Sequence, residues 1–305
     1  MNDASSMQES VSTKTPLQLR NSMEAQPPIF RLCSDVIDEI FGRLNPREDI
    51  ATLKACSLAC KLLRPSSQRL IHSRIVLYSN TNHVDGLRQK RIALLLDILQ
   101  NSPSIGKYVR ELDLRMDTSD NEWVAQDRSF MNLMSYITSP NNNLQELYIT
   151  GTSFPDQFAD ARSLEKNFLE PFINPAICKL HISGMVNIPV SILSSSVNLK
   201  DLTLRLTDLE KYDLSSLKLN SSQLSSQSPR LRTLQFNRPE GATTTLLESA
   251  EAGYPLANLS SLKLIVAPGG MSHLEYIQRM IVLASNSLEE IRIITKGSEP
   301  LFEGM

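Results

Sequence analysis

No run in this 305-residue chain approaches the roughly 18 consecutive apolar residues that a membrane-crossing helix needs. Nor is there an excess of either charge: 31 basic residues face 33 acidic ones, for a net charge of -2. Nucleic acid and anionic membranes select a basic surplus, so neither is expected as the main partner. Cysteine is scarce, with Cys33, Cys56, Cys60 and Cys178 spread along the chain. Cys56 and Cys60 could form half of a metal site, but no second Cys/His pair lies at ligand spacing, so reduced, buried thiols are expected and no metal. His72, His83, His181 and His273 have no nucleophile motif beside them and no HExxH spacing occurs. Gly269-Gly270 lacks the lysine of a phosphate loop, and Asp117 and Asp120 lie in a polar stretch that reads as a solvated loop. No catalytic residue, cofactor or small-molecule substrate is expected. Residues 1–26 are rich in Ser, Thr, Gln and Asn without an apolar run of signal-peptide length, which predicts a disordered tail and a protein of the cytoplasm or nucleus.

What the chain does have is a repeat. Seven times an apolar residue is followed at +3 and +5 by two more: Val109/Leu112/Leu114, Leu144/Leu147/Ile149, Ile177/Leu180/Ile182, Leu199/Leu202/Leu204, Leu231/Leu234/Phe236, Leu259/Leu262/Leu264 and Leu288/Ile291/Ile293. Their starts lie 35, 33, 22, 32, 28 and 29 residues apart. The last two positions of each triplet alternate with polar residues, which is the period of a strand with one buried face. One short strand per unit predicts stacked units that share a core. Leu214/Leu217/Leu219 also fits, but lies too close to its neighbours for a full unit.

The triplets resemble the LxxLxL core of leucine-rich repeats over about residues 105–295. Where that family continues with an Asn or Cys that bonds successive backbones, this chain has Asp117, Thr152, Met185, Thr207, Pro239, Ala267 and Lys296. The resemblance therefore implies an irregular horseshoe without an asparagine ladder. Its concave face would be formed by the residues between the inward apolar ones: Asp113, Arg115, Tyr148, Thr150, His181, Ser183, Thr203, Arg205, Gln235, Asn237, Lys263, Ile265, Arg292 and Ile294. Mixed charge with one aromatic and two isoleucines suits a protein ligand.

Between Pro27 and Leu77 the period becomes helical. Val36, Ile37, Ile40, Phe41 and Leu44 make one apolar stripe, with Ser34 placed to cap it and Asn45-Pro46 to end it. A second helix is predicted over about 48–60, with Ile50, Leu53, Cys56, Ser57 and Cys60 inward. A third follows Pro65 and carries Leu70, Ile71 and Ile75. Three short helices leave apolar surface over. Either the module caps the repeats or part of its stripe binds a partner helix. Further on, Ile92, Leu95, Leu96 and Leu99 share one face of a helix that closes at Ser102-Pro103 and would seal the first repeat.

The stretch from Leu32 through Asp35-Val36-Ile37-Asp38-Glu39-Ile40-Phe41 to Leu44, then Asp49-Ile50, Leu53-Lys54-Ala55-Cys56-Ser57-Leu58-Ala59-Cys60-Lys61 and Pro65, resembles an F-box, closest to the F-box-like domains of mushroom-forming fungi. Cys33 stands where that family usually has proline and Leu63 where tryptophan is common. The expected α/β solenoid is thus a small three-helix F-box-like module at 27–76 followed by an irregular leucine-rich-repeat domain at 77–305. The resemblance implies a non-catalytic substrate receptor of a cullin-type ubiquitin ligase. Its helices would bind a Skp-family adaptor through residues among Leu32, Val36, Ile37, Ile40, Phe41, Leu53, Leu58 and Leu63, and its repeats would hold an unknown protein. The competing expectation is a repeat scaffold in which the F-box-like part is only a cap.

Overall fold

The computed structural model describes residues 34–78, 87–116, 122–151, 156–157, 161–189, 192, 196, 198–210, 231–237, 245–247, 256, 258–266 and 274–295. The expected tail at 1–26, Leu32, Cys33 and the Leu214 triplet lie outside the described residues. The chain divides into two units, Met1–Ser67 and Gln68–Met305. No helix among the described residues is long and apolar enough to cross a membrane.

In the first unit α1 (Ser34–Gly42) and α2 (Ile50–Ala59) are followed by α3 (Arg64–Ile71), which runs on past the boundary. The break after α1 is built by its own polar residues. The Asn45 amide donates to Asp49 Oδ2 at 2.8 Å and the Arg47 amide to Asn45 Oδ1 at 3.0 Å, local bonds that compete with the helix. Only part of the α1 stripe is inward: Ile37 and Phe41, four residues apart, are buried with Leu53 of α2 and with Leu63. Of the α2 residues expected inside, Leu53 alone is fully buried, and Ile50, Cys56, Ser57 and Cys60 are half-buried. Cys56, Cys60 and Cys178 are free thiols, half-buried rather than buried.

The second unit is an α/β fold on an open, all-parallel sheet of eight strands. These are β1 (Arg74–Tyr78), β2 (Glu111–Met116), β3 (Glu146–Gly151), β5 (Lys179–Ser183), β8 (Asp201–Arg205), β10 (Thr233–Asn237), β11 (Ser261–Val266) and β12 (Glu290–Thr295). Each pairs with the next in that order. The two-residue strands Asp156–Gln157, Met185–Val186, Ile188–Pro189 and Leu209–Glu210 (β4, β6, β7 and β9) form two small side ladders. All seven triplets place their first residue two positions before a strand and their last two residues on that strand, in the main sheet. Their +3 and +5 residues align across it, Leu112 with Leu147, Leu180, Leu202, Leu234, Leu262 and Ile291.

That apolar row packs on helical residues to make one core. α4 (Leu87–Asn101) contributes Ile92 and Leu99; after the short α5 (Pro103–Gly106) and α6 (Trp123–Gln126), α7 (Arg128–Ile137) contributes Phe130, Leu133, Met134 and Ile137. The short α8 (Ala161–Leu164) continues into a π-helix at Glu165–Ile173, which buries Phe168, Leu169, Phe172 and Ile173 and tolerates Pro171 inside it. α9 (Leu274–Leu283) adds Ile277 and Met280. Asp127 caps α7, its Oδ1 accepting from the Ser129 and Phe130 amides at 2.8 and 3.1 Å. Gly184 follows β5 at φ 68°, and a Cβ there would meet the Gly151 carbonyl oxygen at 3.1 Å, so both the turn and the close approach require glycine.

One expectation is corrected. Ile75 belongs to strand β1, not to the third helix, because Ile75 and Leu77 alternate with the partly exposed Arg74 and Val76 and pair with Leu112 and Leu114. The two units divide after Ser67, so β1 lies whole within the second. The sheet also has unequal edges. Ile75 and Leu77 on β1 are buried, whereas Ile291, Ile293 and Ile294 on β12 are exposed.

Candidate functional site

Two surfaces follow from the expected site residues, one in each unit. On the helical unit, the residues expected to face an adaptor separate by burial. Ile37, Phe41, Leu53 and Leu63 are core and so are the members of the set that fill the module itself: at about 100° per residue the stripe from Val36 to Phe41 spans roughly 140° of the helix, too wide for all of it to face one way. Val36 and Ile40, four residues apart, are 42% and 51% exposed, and Leu58 is 82% exposed. Val36 and Ile40 line a shallow depression with Asp35, Glu39 and Arg43. Arg43 and Glu39 pair across its rim at 3.2 Å, and Ser66 Oγ donates to Asp38 Oδ1 at 2.7 Å, tying α3 to α1.

On the sheet unit, the residues between the apolar rows align into three polar rows. The first runs Arg74, Glu111, Glu146, Lys179, Asp201, Thr233, Ser261, Glu290. The second runs Val76, Asp113, Tyr148, His181, Thr203, Gln235, Lys263, Arg292, and the third Tyr78, Arg115, Thr150, Ser183, Arg205, Asn237, Ile265, Ile294. All ten expected target-facing residues thus share one face of one sheet, spread over seven strands rather than gathered in a pocket. For Asn237 only the backbone position is described.

Asp113 does not act as a free surface group. It is buried, its Oδ2 ion-paired with Arg74 and lying 3.4 Å from Arg115 Nε, while Arg74 Nε lies 2.7 Å from Glu111. Arg115 also lies over the Tyr78 ring at 5.1 Å, and Tyr148 stacks on His181 with centroids 5.4 Å apart. Lys179 Nζ reaches Glu146 at 2.8 Å, and that hydrogen bond, followed by the charge of the same carboxylate, holds the lysine above its usual pKa. Hydrogen bonds from Arg292 at 2.5 Å and Ser261 at 3.0 Å hold Glu290 below the usual carboxylate range.

Sequence reasoning missed β1 and with it Arg74, Val76 and Tyr78. The signal was present as the alternation Ile75, Leu77, but His72 stands where the other units carry their first apolar residue. His72 is half-buried, and burial pushes its pKa down. It lines a cavity of about 260 Å³ beside β1 with Ile75, Leu77, Leu95, Leu99, Arg74, Arg88 and Arg91. No carboxylate or hydroxyl nucleophile other than the Tyr78 phenol is among the lining residues, and His181 is not one of them. Comparison with protein-family models gives no match, and comparison with curated proteins gives none.

Proposed function

We propose that this chain is the substrate-recognition subunit of a cullin-type ubiquitin ligase. Its N-proximal helices dock on a Skp-family adaptor and the polar face of its sheet holds a protein to be modified, in the cytoplasm or nucleus. The observation that carries the reading is the pair Val36 and Ile40, exposed side by side on the helix that resembles the first F-box helix. Exposed apolar groups at i, i+4 spacing are what a partner helix buries. The sheet supports the second half: seven LxxLxL triplets, each leading into a strand that pairs with its neighbour in the repeat, fit an irregular leucine-rich horseshoe. Such a receptor makes and breaks no bonds; it raises the local concentration of target near the transferring enzyme.

Calorimetric titration with a purified Skp-family adaptor tests this. The intact chain should bind, and Val36→Asp/Ile40→Asp should abolish binding while the far-ultraviolet circular dichroism stays unchanged. No binding by the folded wild type rejects the reading. The scaffold alternative, in which the module is only a cap, is favoured by the burial of Ile37, Phe41, Leu53 and Leu63, four residues that a docking surface would otherwise use. The same titration separates the two.

A further inference from the structure

The cations of the sheet's polar face fall into two groups. On β1–β5 every one is neutralised within the sheet: Arg74 by Glu111 and Asp113, Arg115 by Asp113, and Lys179 by Glu146. On β8–β12 the balance differs. Arg292 takes Glu290, whereas Arg205 and Lys263 form no ion pair with any described residue. Lys263 acts on Glu290 only through space, as the weakest of its influences, and Asp201 lies in the first row, where its charge reaches Lys179. Both unpaired cations are half-exposed, so neither is sequestered by the core.

The geometry between them sets a spacing. Arg205 and Lys263 lie on strands separated by one intervening strand, β10, and in adjacent rows. Strands about 4.8 Å apart and rows about 6.7 Å apart put their Cα atoms roughly 12 Å from one another. An extended peptide advances about 3.3 Å per residue, so two acidic side chains four positions apart would match. Beside Lys263 in the third row, Ile265 and the 39% exposed Ile294 offer an apolar step.

We propose that the polar face of β8–β12 binds an extended acidic segment of the target protein, with one carboxylate at Arg205, a second at Lys263 and an apolar side chain between them against Ile265. The assignment rests on the reading of this face as the target surface and narrows its partner to one chemistry. Opposite charge across a partly exposed face mainly sets which partner is captured and how salt weakens it.

The test is fluorescence anisotropy with the intact chain and a fluorescein-labelled peptide of about twelve residues. The peptide carries two Glu four positions apart and a Leu midway between them, with Gln-for-Glu and Lys-for-Glu counterparts. The Glu peptide should bind and weaken steadily between about 50 and about 300 mM salt. Arg205→Glu and Lys263→Glu should each weaken it about tenfold. Lys166→Glu, on the exposed side of the π-helix, should leave it unchanged. Absence of binding, equal binding of the Gln or Lys peptide, or equal loss in Lys166→Glu overturns the proposal. Adaptor titration of the same preparations reads the ligase assignment separately, since Arg205 and Lys263 lie outside the helical unit.

Discussion

Asn198 donates its Nδ2 hydrogen to the Pro175 carbonyl at 2.8 Å, and two units earlier Asn143 makes the same bond to the Lys107 carbonyl, also at 2.8 Å. Each asparagine stands directly before the first apolar residue of its triplet. Each acceptor lies two residues before the preceding triplet. The backbone link between these units therefore lies before the strand. Thr207, after β8, adds one buried bond, its Oγ1 donating to the Ile182 carbonyl at 3.1 Å. Asn143→Ala and Asn198→Ala should each cost about 1 kcal/mol in urea unfolding. The double variant should cost their sum, because the two bonds share no group. A clearly larger loss for the pair would mean that the units are coupled beyond these bonds.

Leu264 and Ile293 are register partners in the same apolar row, one fully buried and the other 56% exposed. Leu264→Ala should cost about 3 kcal/mol, from lost transfer energy and the cavity left behind. Ile293→Ala should cost under about 1 kcal/mol. Equal losses would mean that the edge strand is covered in solution.

Asp113 is the buried partner of two arginines, its side chain only 4% exposed. Asp113→Ala should destabilise by about 3 kcal/mol, because Arg74 and Arg115 are left facing each other without the carboxylate between them. Asp113→Asn keeps the shape and an acceptor, and should lose less. Thermal unfolding of the two variants gives the ranking, and an Asn variant no better than Ala would point to charge as the whole effect.

His72 titrates below its ordinary 6.5 because burial disfavours the imidazolium. Above 6.5 neither the folded nor the unfolded state binds the proton. As pH falls through 6.5 the unfolded chain takes it up first, so stability declines on acidification and levels off once the folded state is protonated too. His72→Leu should remove this contribution and restore the apolar residue that begins every other unit. The wild-type minus variant difference in urea midpoint should therefore change between pH 7 and about pH 5. A constant difference would discard the linkage.

The alternation of apolar and polar residues made the sheet legible: the last two residues of all seven triplets lie on strands, and the polar residues between them share the opposite face. The first strand was hidden because His72 broke the triplet and Ile75 could equally continue the spacing of Leu70 and Ile71. The helical unit was harder. A stripe of five apolar residues on a short helix does not say which two face inward, and only the positions of α2 and α3 decide that Ile37 and Phe41 do. Nor does spacing reveal charge pairing, so Asp113 read as a surface acid until Arg74 was found beside it.

β12 has practical weight in the test tube. A strand whose backbone is unbonded along one side among the described residues, and whose isoleucines are exposed on both surfaces, is a site for adventitious self-association once the protein is concentrated. Solubility during purification should therefore respond more to a lysine introduced at position 293 than to any change of buffer pH near neutrality.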